Sequence, residues 1–361
     1  MQIPLKRPVA ILCAIPIVLG LSDHQAGAAE PDTKVPLKAP LSGLVQMGDI
    51  GFHRQDGGSA KPSLGDLLRL PGIFGGTVIN ITWQQLEPTP GTLDTKEIDR
   101  VLDEIRSYNS ANTGCPIGVR LRVWPGPNAP VWAKNLGGAP VAVRHKGLSI
   151  TVGRFWTKDY RDAWRSLQTR LAERYDAEPL IREVSNTSGS TMTDEAVLLP
   201  ADAESVTNLK AAGFTDELFK ACLLEAPADF ARWRTTRVEM VCNPYRAIDS
   251  GKPKPNMEFT LKLMQHARQE LGPRAVLSNH SLSKTTAEQL IPIYAEIQRL
   301  GPPIAFQTHS PNGLDWVGAM RAAVTYKAGS VELWNGTQFG GFETKSPDTL
   351  REWASWLQEK R

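Results

Sequence analysis

The sequence predicts an α/β fold, a (β/α)8 TIM barrel, on three observations. Short β-rich runs alternate with amphipathic helical runs along the chain, the pattern of a parallel sheet wound with helices. Eight such strands fall within roughly 330 residues, the length of a barrel with insertions. Several strands also carry charge where a parallel strand is normally aliphatic: Arg120, Arg122, Glu183, Glu239 and Glu332. Helices cover the outside of a barrel, so these charges are expected to point inward or toward the carboxyl-terminal mouth.

The elements are expected in this order. Residues 29–43 hold several prolines and no periodicity, and read as a flexible lead-in to a barrel spanning 44–361. Strand one runs from Leu44 to Ile50, with Asp49 and His53 near its carboxyl end; a polar loop and a short helix from Ser63 to Leu70 follow. Strand two is the β-branched run Thr77–Trp83. The helix Thr95–Tyr108 puts Ile98, Val101, Leu102 and Ile105 on one face, with Asp94 as its expected N-cap.

Strand three, Ile117–Trp124, places Arg120, Arg122 and Trp124 on one face. A hairpin is expected over 141–154, then the amphipathic helix Lys158–Tyr175. Strand four, Leu180–Ser185, carries Glu183 and leads into an insertion at about 186–234 with one or two helices. Strands five, six and seven are Val238–Asn243, Ala275–His280 and Ile304–His309, separated by helices over Met257–Leu271 and Thr285–Leu300. A helix over Asp315–Lys327 precedes strand eight, which starts at Ser330, and Pro347–Glu359 closes the chain as a helix. In strand eight Val331 and Leu333 face the helices, while Glu332 and Trp334 look into the barrel.

Residues 1–28 read as a secretory signal. Lys6-Arg7 is followed by an apolar run from Val9 to Leu21 and a small-x-small site at Ala26-Gly27-Ala28. The run is short for a membrane span. The expectation is a secreted or periplasmic protein with no membrane attachment after cleavage. Net charge is +3, and losing Lys6, Arg7 and Asp23 leaves about +2, too little to argue for nucleic acid or an anionic membrane. Of the cysteines left after cleavage, Cys115, Cys222 and Cys242, at most two pair with each other, and their spacing is not that of a metal site.

The most specific motif follows strand two: Trp83-Gln84-Gln85-Leu86-Glu87-Pro88-Thr89-Pro90-Gly91. It resembles the Trp-x-x-(Leu/Ile)-Glu-Pro-x-Pro-Gly stretch of the (β/α)8-barrel glycoside hydrolases, the clan of retaining β-glycosidases. Arg122-Val-Trp-Pro-Gly-Pro, Ala129-Pro-Val-Trp-Ala and Phe155-Trp with Tyr160 and Trp164 extend the resemblance over about residues 44–185. Within the motif, Glu87 reads as a loop brace. Trp334 matches the strand-eight tryptophan that floors the sugar site in such enzymes.

The chain departs from that family at both catalytic positions. Strand four ends Glu183-Val-Ser-Asn-Thr, with no glutamate after Asn186, and strand seven reads Ala-Phe-Gln307-Thr-His309. Glycoside hydrolysis needs two carboxyl groups, about 5–5.5 Å apart for retention or about 6.5–9.5 Å for inversion. The resemblance therefore implies a divergent glycosidase with Glu332 as nucleophile or base and Glu195 or Glu183 as acid. Asp49, His53, Trp83, Arg122, Trp124, Asn243, Asn279, His280, His309 and Trp334 would bind a carbohydrate. Trp124, Trp132 and Trp334 suit stacking on a pyranose face. No cofactor or metal is expected.

The alternative is a noncatalytic carbohydrate-binding barrel that has lost the usual pair. A third reading, a metal-dependent hydrolase, requires His53, His280 and His309 to converge. For Glu332 the sequence leaves two outcomes open: a catalytic carboxylate held ionised by an arginine, or the neutralising partner of a buried arginine.

Overall fold

The computed structural model describes residues 36–48, 64–145, 148–189, 195–196, 199–200, 202–248, 254–283, 290–310, 312–337 and 340–358. All of these belong to one compact unit, Pro36–Arg361. The expected signal segment 1–28, residues 29–35 of the lead-in, Asp49 and His53 lie outside the described residues.

In chain order the elements are β1 (Gly43–Gln46), β2 (Phe74–Thr82), α1 (Trp83–Leu86), α2 (Lys96–Ala111), β3 (Gly118–Trp124), α3 (Val131–Lys134), β4 (Val141–His145), β5 (Leu148–Val152), α4 (Lys158–Tyr175) and β6 (Ile181–Ser185). Then come α5 (Ala203–Ala211), α6 (Asp216–Asp229), β7 (Arg237–Val241), β8 (Arg246–Ala247), β9 (Lys254–Pro255), α7 (Met257–Leu271) and β10 (Ala275–Leu282). The chain ends with α8 (Ile291–Leu300), β11 (Ile304–Thr308), α9 (Trp316–Thr325), β12 (Ser330–Leu333) and α10 (Pro347–Gln358).

Eight of these strands close into a parallel barrel, in the order β1-β2-β3-β6-β7-β10-β11-β12 and back to β1. The predicted fold class is therefore the observed one. Strands four to eight of the sequence reading are β6, β7, β10, β11 and β12. β4 and β5 form the antiparallel hairpin expected over 141–154. The insertion after β6 holds α5 and α6. No helix among the described residues is long and apolar enough to cross a membrane.

Burial divides the side chains as the pleat requires. The main core lies between barrel and helices, with Ile98, Val101, Leu102 and Ile105 of α2 and Trp164, Leu167 and Leu171 of α4 packed on outward residues such as Leu121, Val123, Val331 and Leu333. The barrel interior is mostly polar. Its apolar part is a separate small cluster of Leu41, Val45 and Val78. Val45 is level with Glu332, and Val78 with Arg120.

Local chemistry sets the ends of several helices. The side chains of Asp202, Thr215, Asn256 and Asp315 accept amide hydrogen bonds at the starts of α5, α6, α7 and α9. At α2 the N-cap position is Thr95, not Asp94. Thr95 turns its hydroxyl to Asp99, and Asp94 Oδ1 accepts from Lys96 N at 3.2 Å. The short helix expected over 63–70 is a 3-10 turn, Gly65–Arg69.

Strand two stops one residue early. Thr82 and Gln85 form a reciprocal capping box, so Trp83 opens α1 instead of ending the strand. Cys115 is exposed, Cys222 and Cys242 are buried, and all three are free thiols.

Candidate functional site

The five strand charges named from the sequence meet inside the barrel. Arg120 and Arg122 rise from β3, Glu183 from β6, Glu239 from β7 and Glu332 from β12, each no more than 1% exposed. Arg120 donates through Nε and Nη2 to Glu183 Oε2 at 2.9 and 2.7 Å. Its Nη1 lies 2.7 Å from Glu239 Oε1 and 3.0 Å from Glu332 Oε2. Arg122 donates to Glu332 Oε1 and Oε2 at 2.9 and 2.7 Å, and reaches Glu239 Oε2 at 3.4 Å. Ser185 Oγ donates to Glu239 Oε2 at 2.5 Å.

Such a cluster is tolerable in a dry interior only because each charge is paired and hydrogen-bonded. Burial disfavours the charge of Arg120, but Glu239, Glu183 and Glu332 hold its pKa above the usual arginine value. Burial likewise pushes the Glu239 carboxyl up; Arg120, the His280 hydrogen bond and Arg122 overcome this and hold it well below the usual carboxylate range. Three carboxylates face two guanidiniums, and His280 Nε2 stands 3.4 Å from Glu239 Oε1 on the mouth side.

Glu332 is enclosed by donors. Oriented to satisfy both neighbours, the Gln307 amide donates to Glu332 Oε1 at 3.0 Å and accepts from Trp334 Nε1 at 3.1 Å. Each Glu332 oxygen then takes two hydrogen bonds, which fills the acceptor sites of a carboxylate. Glu183 lies at the opposite end from the mouth, with Oε2 on Arg120 and Oε1 on the amide of Leu41 at 2.8 Å.

Glu195 comes from the loop after β6 and is placed over the network. Its Oε1 accepts from Asn243 Nδ2 at 2.8 Å and lies 3.9 Å from His280 Nδ1. Asn243 in turn accepts from Asn279 Nδ2 at 2.8 Å, and Asn279 accepts from the Tyr294 hydroxyl. A chain of contacts thus runs from Glu195 at the mouth through His280 to Glu239 in the sealed interior.

The remaining expected sugar-binding residues fall in different places. Trp334 is half-buried at the mouth end of β12, and His309 is exposed after β11. Trp124 is buried and donates to Asn80 Oδ1 at 2.9 Å. Trp83 is fully buried, edge-on to Trp132, Tyr160 and Trp164, with its indole nitrogen on Glu87 Oε2 at 2.9 Å. It packs against α4 because the capping box turns it out of the strand. Trp132 is half-buried and gives its indole hydrogen to the carbonyl of Glu87. Of the tryptophans considered for stacking, Trp124 is buried while Trp132 and Trp334 are each half-buried, Trp334 at the end of β12. Of the polar partners, Ser185 lies two residues beyond Glu183 on the same face of β6, while Asn80 is level with Arg122 and Gln307 with Glu332 in the neighbouring strands.

Among the described residues, one group of three potential metal ligands lies close together: Glu239, His280 and Glu332, with one donor atom each within 4.8 Å of one another. Its carboxylates already neutralise Arg120 and Arg122, so a cation there would face two guanidiniums at close range. This donor set does not fit a metal.

No protein-family model matches the chain, and no curated protein matches it in sequence. Solved structures do match in shape. The endo-β-1,4-glucanase of Xanthomonas axonopodis pv. citri aligns with TM-score 0.54 and 11% identity, over 89% of this chain and 100% of that one. The catalytic domain of a Paenibacillus polymyxa β-amylase aligns with TM-score 0.52 and 10% identity, over 90% and 100%. Endoglycoceramidase II from Rhodococcus sp., in complex with a cellobiose-like imidazole, aligns with TM-score 0.51 and 15% identity, over 88% and 81%. At these identities the likeness is one of fold alone: the chain shares its (β/α)8 barrel with these three enzymes.

Proposed function

We propose that the barrel mouth is a carbohydrate site, and that the chain binds its sugar without the usual strand-end pair of catalytic glutamates. The observation that carries this is the enclosure of Glu332. A nucleophile needs an open oxygen facing the substrate, whereas four donors occupy this carboxylate and it is 1% exposed. Trp334, on the open side of Gln307, offers an apolar face to a pyranose ring, and His309 and Glu195 offer hydrogen-bond partners to hydroxyls. The leader supports export, so the sugar would be met outside the cytoplasm; an intact mass starting at or near Ala29 is the expected result for protein secreted from a host.

A second reading rests on Glu195. This carboxylate stands next to His280, whose other nitrogen faces Glu239. In that reading Glu195 is the proton donor of a glycosidase, and His280 couples it to the buried charges. Affinity electrophoresis in polysaccharide gels, run beside an assay for new reducing ends, separates the two. Retardation without new ends supports the binding protein. Release of reducing ends that is lost in Glu195→Gln supports the hydrolase. Neither retardation nor release across neutral and acidic glycans would end the carbohydrate reading.

A further inference from the structure

A cavity of about 780 Å³ lies at the end of the barrel opposite the mouth. Its walls include Arg182, Arg237, Val276, Ile304 and Ser330, which open their strands, so it sits under the amino-terminal face. The volume is that of a small-ligand site, on the face where barrels keep structural residues rather than catalysts.

The residue that distinguishes this cavity is Arg182. In the pairing of β3 with β6, Val119 is level with Ile181 but Arg120 with Glu183, so Arg182 is an extra residue in the ladder. A bulge of this kind re-aims its side chain. The Arg182 stem lies across Gly118 of the neighbouring strand. A Cβ on Gly118 would stand 2.6 Å from both Cδ and Nε of Arg182, so any larger residue there would displace this stem.

The guanidinium is half-buried and has no hydrogen-bond or ion-pair partner among the described residues. The neighbouring Glu183 spends Oε2 on Arg120 and Oε1 on the Leu41 amide. Arg237 also lines the cavity; it donates to the carbonyls of Lys38 and Pro273, and no carboxylate pairs with it among the described residues. Lys327 lines it as an exposed third cation. Val324, Trp356 and Leu357, from α9 and α10, supply an apolar wall.

We propose that this cavity binds an organic anion, with a carboxylate head against Arg182 and an apolar body against Val324, Trp356 and Leu357. A planar guanidinium matches a carboxylate in two parallel hydrogen bonds. Desolvation supports the same reading, because burial with little compensation lowers the pKa of Arg182. The proposal stands apart from the mouth and does not depend on what the mouth binds.

Octanoate is a suitable probe, with acetate as the head alone and 1-octanol as the tail alone. Titration calorimetry on the whole mature chain is expected to show octanoate binding at least about tenfold more tightly than either control. Arg182→Met, which keeps length and loses charge, is expected to weaken octanoate about tenfold or more. Lys327→Glu, at an exposed position, is expected to weaken it severalfold with an unchanged denaturation midpoint. Equal binding of octanoate and octanol overturns the proposal, as does octanoate affinity unmoved by the substitutions. Should Arg182→Met fail to fold, the Lys327→Glu titration decides alone.

Discussion

Arg122 grips Glu332 with both terminal nitrogens, at 2.9 and 2.7 Å, across the barrel from β3 to β12. The two strands are not neighbours in the sheet. The pair therefore ties opposite walls of the barrel together, and Arg120 adds a second tie to the same carboxylate at 3.0 Å. A hydrophobic interior would fill that space by packing; here directed charge pairs fill it, with Leu41, Val45 and Val78 as the apolar remainder.

Glu332→Gln is expected to destabilise the fold by about 3–5 kcal/mol, because it leaves Arg122 buried with an incomplete partner. Binding or turnover per folded molecule should be retained. Urea midpoints and activity measured on one preparation check this. An unchanged midpoint with function abolished would restore Glu332 to a catalytic role.

Glu239 gives the acid limb of stability its expected shape. Its folded pKa lies below the unfolded value, so the native state holds its charge where the unfolded chain takes up a proton. The stability it contributes is complete above about pH 4.3, the ordinary glutamate value. It is lost as the pH falls through the lower folded value. The stability gap between wild type and Glu239→Gln should be widest at neutral pH and shrink below about pH 4. Denaturant titrations at a series of pH values test this, and a gap independent of pH would contradict it.

The sequence announces the barrel through its periodicity, because each strand and helix buries one face against the next layer. It also announces the inward charges, since a helix-covered strand has no other place for Arg120 or Glu332. Which carboxylate each arginine takes is not legible, because that depends on closure of the sheet, which brings β12 opposite β3. The bulge at Arg182 is hidden for the same reason: register is a property of two strands together. Trp83 is a different case. Thr82 and Gln85 stand at capping-box spacing, and that signal was present in the sequence. It competes with a β-branched run that reads as continuous strand, and the cap wins at the last residue.

Glu87 should prove structural. It is 1% exposed, accepts from the indole of Trp83 and the amide of Gly91, and takes Arg170 Nη2 at 2.6 Å. It thus pins the proline-rich loop after α1 to α4. Glu87→Ala removes the acceptor from three donors at once and is expected to cost roughly 2–4 kcal/mol. Sugar binding by the folded fraction should be unchanged, as read from a binding isotherm beside a thermal melt.

Trp334→Ala is expected to do the reverse. The residue is half-buried at the mouth, and its indole nitrogen reaches the amide of Gln307, which also holds Glu332. Truncation removes the stacking face but leaves Arg120 and Arg122 on Glu332, so the internal network keeps its strongest ties. Sugar affinity should fall by about tenfold or more, since stacking surfaces of this kind contribute on the order of 1–3 kcal/mol. Stability should fall far less than the roughly 3–5 kcal/mol that follows truncation of a fully packed tryptophan. Binding isotherms and urea midpoints for Trp334→Ala, with Trp83→Ala as the packed comparison, separate the two roles. A Trp334 variant that loses stability like the Trp83 variant while its folded fraction binds sugar normally would remove Trp334 from the site.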